Sequence, residues 1–197
     1  MELELVVDTI WETWYHEESE RGAHQIPTTH DEDFEYRLYS DHATVTRKRS
    51  TATAANIPSM VEGRPVTSIA DSAFSGSGST ETVSLPNSLR NIRWCAFYKV
   101  AKLTEVDIPA SVRIVHASAF STCPNLREVH IEPGCIHLGY RAFGNCTNLE
   151  RIDIPATVQQ IGNEAFINCK KLKIHGEQGS YAQRYAAEHK IPFVVER

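Results

Sequence analysis

The dipeptide Ala-Phe recurs five times at a constant step of 23 residues: Ala73-Phe74, Ala96-Phe97, Ala119-Phe120, Ala142-Phe143 and Ala165-Phe166. Other apolar columns keep the same step. Val83, Val106, Val129 and Ile152 form one, and Leu85, Ile108, Ile131 and Ile154 another. Ile69, Ile92, Val115, Leu138 and Ile161 form a third, and Leu103, Leu126, Leu149 and Leu172 a fourth. Self-similarity at a period of 20–29 residues marks a chain built of coils that stack on their own copies.

Each coil opens with a short strand. In Leu103-Thr-Glu-Val106-Asp-Ile108 the apolar residues alternate inward. Pro86, Pro109 and Pro155 follow the strand and end it, because proline has no N–H for a ladder bond. One coil alone cannot hide its inward residues. Stacking sets each on its own copy, roughly 4.8 Å away. Each buried Leu, Ile or Phe is worth roughly 1.5–3 kcal/mol.

These residues also carry a resemblance. Ile-Pro-Ala-Ser-Val at 108–112, Ala-Phe-x-x-Cys-x-Asn-Leu at 119–126 and 142–149, and Ile-Gly-Asn-Glu-Ala-Phe at 161–166 resemble the BspA-like leucine-rich-repeat family, of the Treponema pallidum type. The likeness extends over about residues 34–197. It implies adhesion or protein binding, often at the cell surface or outside the cell. The expected fold is a leucine-rich-repeat β-solenoid of about five 23-residue coils with short parallel strands. An N-terminal amphipathic helix and a C-terminal helix–strand cap complete it.

The segments follow from pattern. Residues 1–15 place Leu3, Val6, Val7, Ile10, Trp11, Trp14 and Tyr15 on one helical stripe. That helix either folds back on the solenoid or docks a partner. In the second case Leu3, Val7, Ile10, Trp11 and Trp14 are its contact face, and a homo-oligomer through residues 1–15 is the corresponding assembly. Residues 16–33 read as a polar linker. Its His16, His24 and His30, with Asp31 and Asp33, match no closed zinc spacing. Residues 34–69 read as a hairpin and the way into the solenoid, 70–175 as the coils, and 176–197 as the cap. Ser180 is placed to N-cap a helix, with Ile191–Val195 as a last strand.

Composition narrows the function. Twenty-five acidic against 20 basic residues give a net charge of −5, which does not fit a nucleic-acid footprint. No run of 18 apolar residues is present, so no membrane insertion is expected. The acidic start Met1-Glu-Leu-Glu lacks the basic region of a secretory signal. That points to the cytoplasm, whereas the family resemblance points to the cell surface. The five cysteines are an odd number. Cys123, Cys146 and Cys169 repeat every 23 residues and read as small buried hydrophobes, with a disulfide between stacked neighbours as the alternative, since their spacing is within its range.

The chain holds no Gly-x-Ser-x-Gly, no Gly-Lys phosphate loop, no His-Glu-x-x-His and no Cys-x-x-Cys. No catalysis, cofactor or metal is therefore expected; an uncharacterised thiol hydrolase is the remote alternative. The expected activity is protein–protein binding of an adhesion or scaffold kind. Self-assembly through the N-terminal helix, with the solenoid as spacer, is the rival reading. Residues between the inward ones face out. One such column is Thr82, Glu105, Glu128 and Arg151, and the next is Ser84, Asp107, His130 and Asp153. The candidate partner-binding residues are Glu105, Asp107, Glu128, His130, Arg151 and Asp153, which suit a basic partner. Trp94 and Tyr140 form a second candidate set, since Asp71, Ala117 and Asn163 fill the matching places.

Overall fold

The computed structural model describes residues 28–196. The amphipathic stretch 1–15 and linker residues 16–27 lie outside the described residues. Strand β1 (Thr28–His30) pairs antiparallel with β2 (Phe34–Leu38), and β2 with β3 (Ala43–Lys48). The sequence reading places residues 28–33 in the polar linker, but here 28–30 form a strand of the sheet and 31–33 the turn that follows it. Asp31 is the reason. Its Oδ1 accepts the amides of Asp33 (2.9 Å) and Phe34 (2.7 Å), and the Tyr36 hydroxyl donates to its Oδ2 at 2.6 Å. An Asx turn of this kind reverses the chain without apolar residues.

The chain then winds. Its remaining strands are β4 (Ala54–Asn56), β5 (Met60–Val61), β6 (Arg64–Ile69), β7 (Thr82–Ser84), β8 (Asn91–Ile92), β9 (Glu105–Ile108) and β10 (Ile114–Val115). After them come β11 (Glu128–Ile131), β12 (His137–Leu138), β13 (Arg151–Ile154), β14 (Gln160–Ile161), β15 (Lys173–Gly176), helix α1 (Tyr181–Glu188) and β16 (Phe193–Val195). One sheet runs β1-β2-β3-β6-β8-β10-β12-β14, with β5 paired to β6. A second runs β9-β11-β13-β15-β16, and β4 pairs with β7 alone. From β6 onward the order within each sheet follows successive coils, so like residues pair: Ile92 with Val115, Val115 with Leu138, Val106 with Val129, and Val129 with Ile152.

A third hydrogen-bonded column runs through the Ala-Phe turns. Ser118, Phe120 and Thr122 donate their amides to the carbonyls of Tyr140, Ala142 and Gly144 in the next coil, at 2.8, 2.8 and 2.7 Å. Residues on either side of each Ala-Phe pair take positive φ. Ser72, Cys95, Ser118, Arg141 and Glu164 form one such column; Gly76, Lys99, Thr122, Asn145 and Asn168 form the other. A left-handed residue at each end of the turn thus brackets the amides that point along the solenoid axis.

Inside this frame the phenylalanines stack. Ring centroids are 4.6 Å apart for Phe74–Phe97, 4.9 Å for Phe97–Phe120, 5.4 Å for Phe120–Phe143 and 5.8 Å for Phe143–Phe166. All five rings are buried. Phe34 continues the column at one end (5.9 Å from Phe74) and Tyr185 of α1 closes the other. The solenoid thus has about seven turns rather than about five, because an opening turn and a closing turn flank those that carry Ala-Phe. Ser180 caps α1, its Oγ accepting the Gln183 amide at 3.3 Å, and Ala182, Tyr185 and Ala186 are the buried face. β16 pairs parallel with β15 and is shorter than the strand expected at 191–195.

Candidate functional site: the outer face of the five-stranded sheet

Strands β9, β11, β13 and β15 hold their outward residues in strict register. Glu105 pairs with Glu128, Glu128 with Arg151, and Arg151 with Lys173. Beside them run Asp107, His130, Asp153 and His175. Their inward neighbours Val106, Ile108, Val129, Ile131, Ile152 and Ile154 are buried, which fixes which way the polar residues point. A depression of about 120 Å³ lies over the face, lined by Glu105, Asp107, Glu128, His130, Arg151 and Asp153.

Thr82 and Ser84, expected to head the two columns, belong elsewhere. Their strand β7 hydrogen-bonds to β4 and lies beside β9 without a ladder. The anchor position that Leu103, Leu126 and Leu149 fill is Thr80 here. Its hydroxyl meets the Ser77 hydroxyl at 2.7 Å, and Val83 and Leu85 are only half-buried. A polar anchor gives up apolar burial, and the sheet breaks at that coil.

The two halves of the face differ in charge. Glu105, Asp107 and Glu128 have no ion-pair partner among the described residues, and all three are exposed. The other half is compensated internally. His130 Nδ1 lies 3.1 Å from Asp153 Oδ2, Arg151 Nε donates to Asp153 Oδ1 at 2.8 Å, and Arg151 also donates to Glu196 Oε1 at 2.7 Å. His175 Nδ1 is 2.8 Å from that same Glu196 oxygen. The hydrogen bond to Asp153, with the charges of Asp153 and Glu196, holds the Arg151 guanidinium still more firmly protonated than usual.

Lys173, His175 and Glu196 were not among the residues singled out from sequence. The step from Ile152 to Ile174 is 22 residues, one short of the period, so a strict 23-residue column passes them by. The break just after Leu172 was the available signal.

Trp94 and Tyr140 follow β8 and β12, so they lie beside the other sheet and not on this face. Trp94 is 55% exposed. Tyr140 is held locally: its hydroxyl donates to Glu164 Oε2 at 3.1 Å, and the Arg141 guanidinium sits 5.0 Å from its ring. Ala117, between them in the column, is buried.

The five cysteines are free and buried. The ladder thiols donate to phenylalanine carbonyls of the preceding coil: Cys123 to Phe97 (3.2 Å), Cys146 to Phe120 (3.1 Å) and Cys169 to Phe143 (3.2 Å). Burial pushes the Cys135 and Cys169 thiols up to about 12 and raises that of Cys95. Contact with Cys123, together with burial, raises Cys146. A thiolate nucleophile is disfavoured at these four sites. No helix among the described residues is long and apolar enough to cross a membrane.

Solved structures with the same architecture come from bacteria. A leucine-rich repeat protein of T. pallidum is 31% identical, with a TM-score of 0.71, over 76% of this chain and 71% of that one. A leucine-rich repeat protein of Bacteroides ovatus is 27% identical, with a TM-score of 0.67, over 74% of this chain but 40% of its own length. The pneumococcal vaccine antigen PcpA shares the fold at 20% identity and a TM-score of 0.59, over 78% of this chain and 50% of that one. No curated protein matches the chain. The model of the BspA type leucine rich repeat region matches residues 49–173 in six copies. With that match over the stacked coils, the chain belongs to the BspA-type leucine-rich-repeat family.

Proposed function

We propose that this chain is a non-catalytic protein-binding module that captures a basic partner surface on the outer face of β9 and β11. The observation that carries the reading is the uncompensated set Glu105, Asp107 and Glu128, next to a half of the same face that is neutralised from within. Three carboxylates on adjacent parallel strands repel one another, and a cationic partner relieves that repulsion. A solenoid's sheet gives them a rigid mount, so little ordering is needed on binding. His130 and Asp153 border this patch, and Arg151 gives it a boundary of opposite sign. The family supports a binding role, and surface display is the location consistent with it.

The test is charge reversal at Glu105, Asp107 and Glu128 to lysine. Crosslinking in the native cell, followed by mass spectrometry, should place partner peptides on β9 and β11 in the parent chain and lose them in the variant. The circular dichroism spectrum should stay the same. Capture in the parent chain should also weaken as salt is raised. Equal capture by both chains, or crosslinks confined to Trp94 and Tyr140, would remove this face from the reading.

A further inference from the structure

Asp153, His175 and Glu196 bring two carboxylate oxygens and an imidazole nitrogen within 4.8 Å of one another. They come from β13, β15 and the residue just after β16, which are neighbours in the sheet. His130 stands beside the group on β11 and touches Asp153 alone, with its Nδ1 3.1 Å from Asp153 Oδ2. Across the face the order is carboxylate, imidazole, carboxylate, imidazole, carboxylate: Asp107, His130, Asp153, His175, Glu196.

We propose that Asp153, His175 and Glu196 form a binding site for a divalent transition-metal ion of the zinc class, with water completing the coordination. The donor set argues for that class. Mixed imidazole and carboxylate ligands suit zinc and its neighbours, whereas calcium and magnesium take oxygen ligands. The spacing argues for it too. Ligands at about 2.0–2.2 Å in a tetrahedron stand roughly 3.3–3.6 Å from each other. The three donor atoms lie within 4.8 Å of one another, and His175 and Glu196, at 2.8 Å, reach that spacing with a shift of somewhat under 1 Å. Two of the donors are already held: the His175 side chain is only 12% exposed and that of Asp153 23%, both on strands paired on each side.

A cation already stands in this place. The Arg151 guanidinium bridges Asp153 and Glu196 and offsets the repulsion between their carboxylates. Its side chain is 40% exposed on a flexible stem, so it can leave without disturbing the core. The metal ion takes over its role and adds the His175 imidazole. It also ties the segment that follows β16 to β13 and β15 through Glu196. This site stands independently of the partner-binding reading, which rests on β9 and β11.

Titration of the full chain with zinc chloride by calorimetry tests the assignment. Because the chain holds other histidines and thiols, the site is read from the difference between parent and variants. Loss of a second-sphere partner already costs a metal site about 10–100-fold, so loss of a ligand in His175→Ala should weaken this component at least about tenfold. Glu196→Gln should weaken it as well, and lies outside the core, so its fold is not in question. Arg151→Ala should tighten binding, because it removes the competing cation. An internal ion-pair network with no metal function predicts the opposite: no zinc component sensitive to these changes. Absence of binding in the parent chain, equal binding in all variants, or weaker binding in Arg151→Ala overturns the proposal.

Discussion

The ring of Tyr185 stands edge-on to Phe166, 5.9 Å away and at 76°, whereas the successive pairs from Phe97 to Phe166 lie within 11° of parallel. The ladder ends there because an edge-on ring covers the last face and offers no parallel face for a further copy. Phe120, in the middle, is expected to behave differently from Tyr185, at the end. Phe120→Ala should cost roughly 3–5 kcal/mol of global stability in urea titration. A loss below about 1 kcal/mol would contradict a packed column. Tyr185→Ala should instead speed amide exchange in the last coil and α1 well before the centre, since each coil is stabilised mainly by its neighbours.

Thr122 has φ of 62°, a left-handed conformation that strains a β-branched residue. Asn145 and Asn168 hold the matching places in the next two coils, and asparagine tolerates that region well. Thr122→Asn should therefore stabilise the chain by about 0.5–1 kcal/mol, on the scale typical of relieving such backbone strain. Thermal denaturation of both chains checks it, and a lower melting temperature in the variant would speak against strain at this turn.

The thiols of Cys135, Cys146 and Cys169 combine burial with strongly raised pKa values. Their reaction with iodoacetamide at pH 8 should be negligible in the folded chain and complete in denaturant, because the thiolate is the reactive form. Peptide mapping after brief labelling distinguishes the sites. Rapid native labelling at Cys146 would mean that the coil opens far more readily than its packing implies.

Asp31 shows competing influences on one carboxyl. Its partial burial pushes the pKa up, but hydrogen bonds from the Tyr36 hydroxyl and the amides of Phe34 and Asp33 outweigh that and hold it below the ordinary carboxylate value. A depressed folded-state pKa contributes stability above the unfolded value, and the contribution is lost as pH falls through the folded value. Asp31→Asn should thus lower the melting temperature at neutral pH, with the gap between the two chains closing in acid. A gap that is constant with pH would show that shape, not charge, is what Asp31 contributes.

Much of the fold is legible because the repeat states one coil's physics several times. Phe74, Phe97, Phe120, Phe143 and Phe166 share a phase, so a mistaken inside–outside assignment at one would be contradicted by the others. Ser180 and the face of Ala182, Tyr185 and Ala186 are equally local signals, and the helix forms on them. Beyond periodicity the signal fades. Thr28–His30 looks like linker because its strand depends on an Asx turn and a partner across the hairpin. Thr82 and Ser84 keep the period of the face yet leave it, because the buried Thr80 sits where an anchoring leucine is needed.

The 23-residue period by itself determined that the chain is a stacked coil and which residues point inward, because each coil's apolar pattern can be satisfied only by another coil, while Ser180 and the apolar face behind it determined where a helix covers the last one. The tertiary structure decided which outward residues meet. A one-residue shortening after Leu172 brings His175 level with Asp153, and the parallel pairing of β16 delivers Glu196 to both. Those three lie 22 and 21 residues apart in the chain, and only strand pairing sets their separation in space.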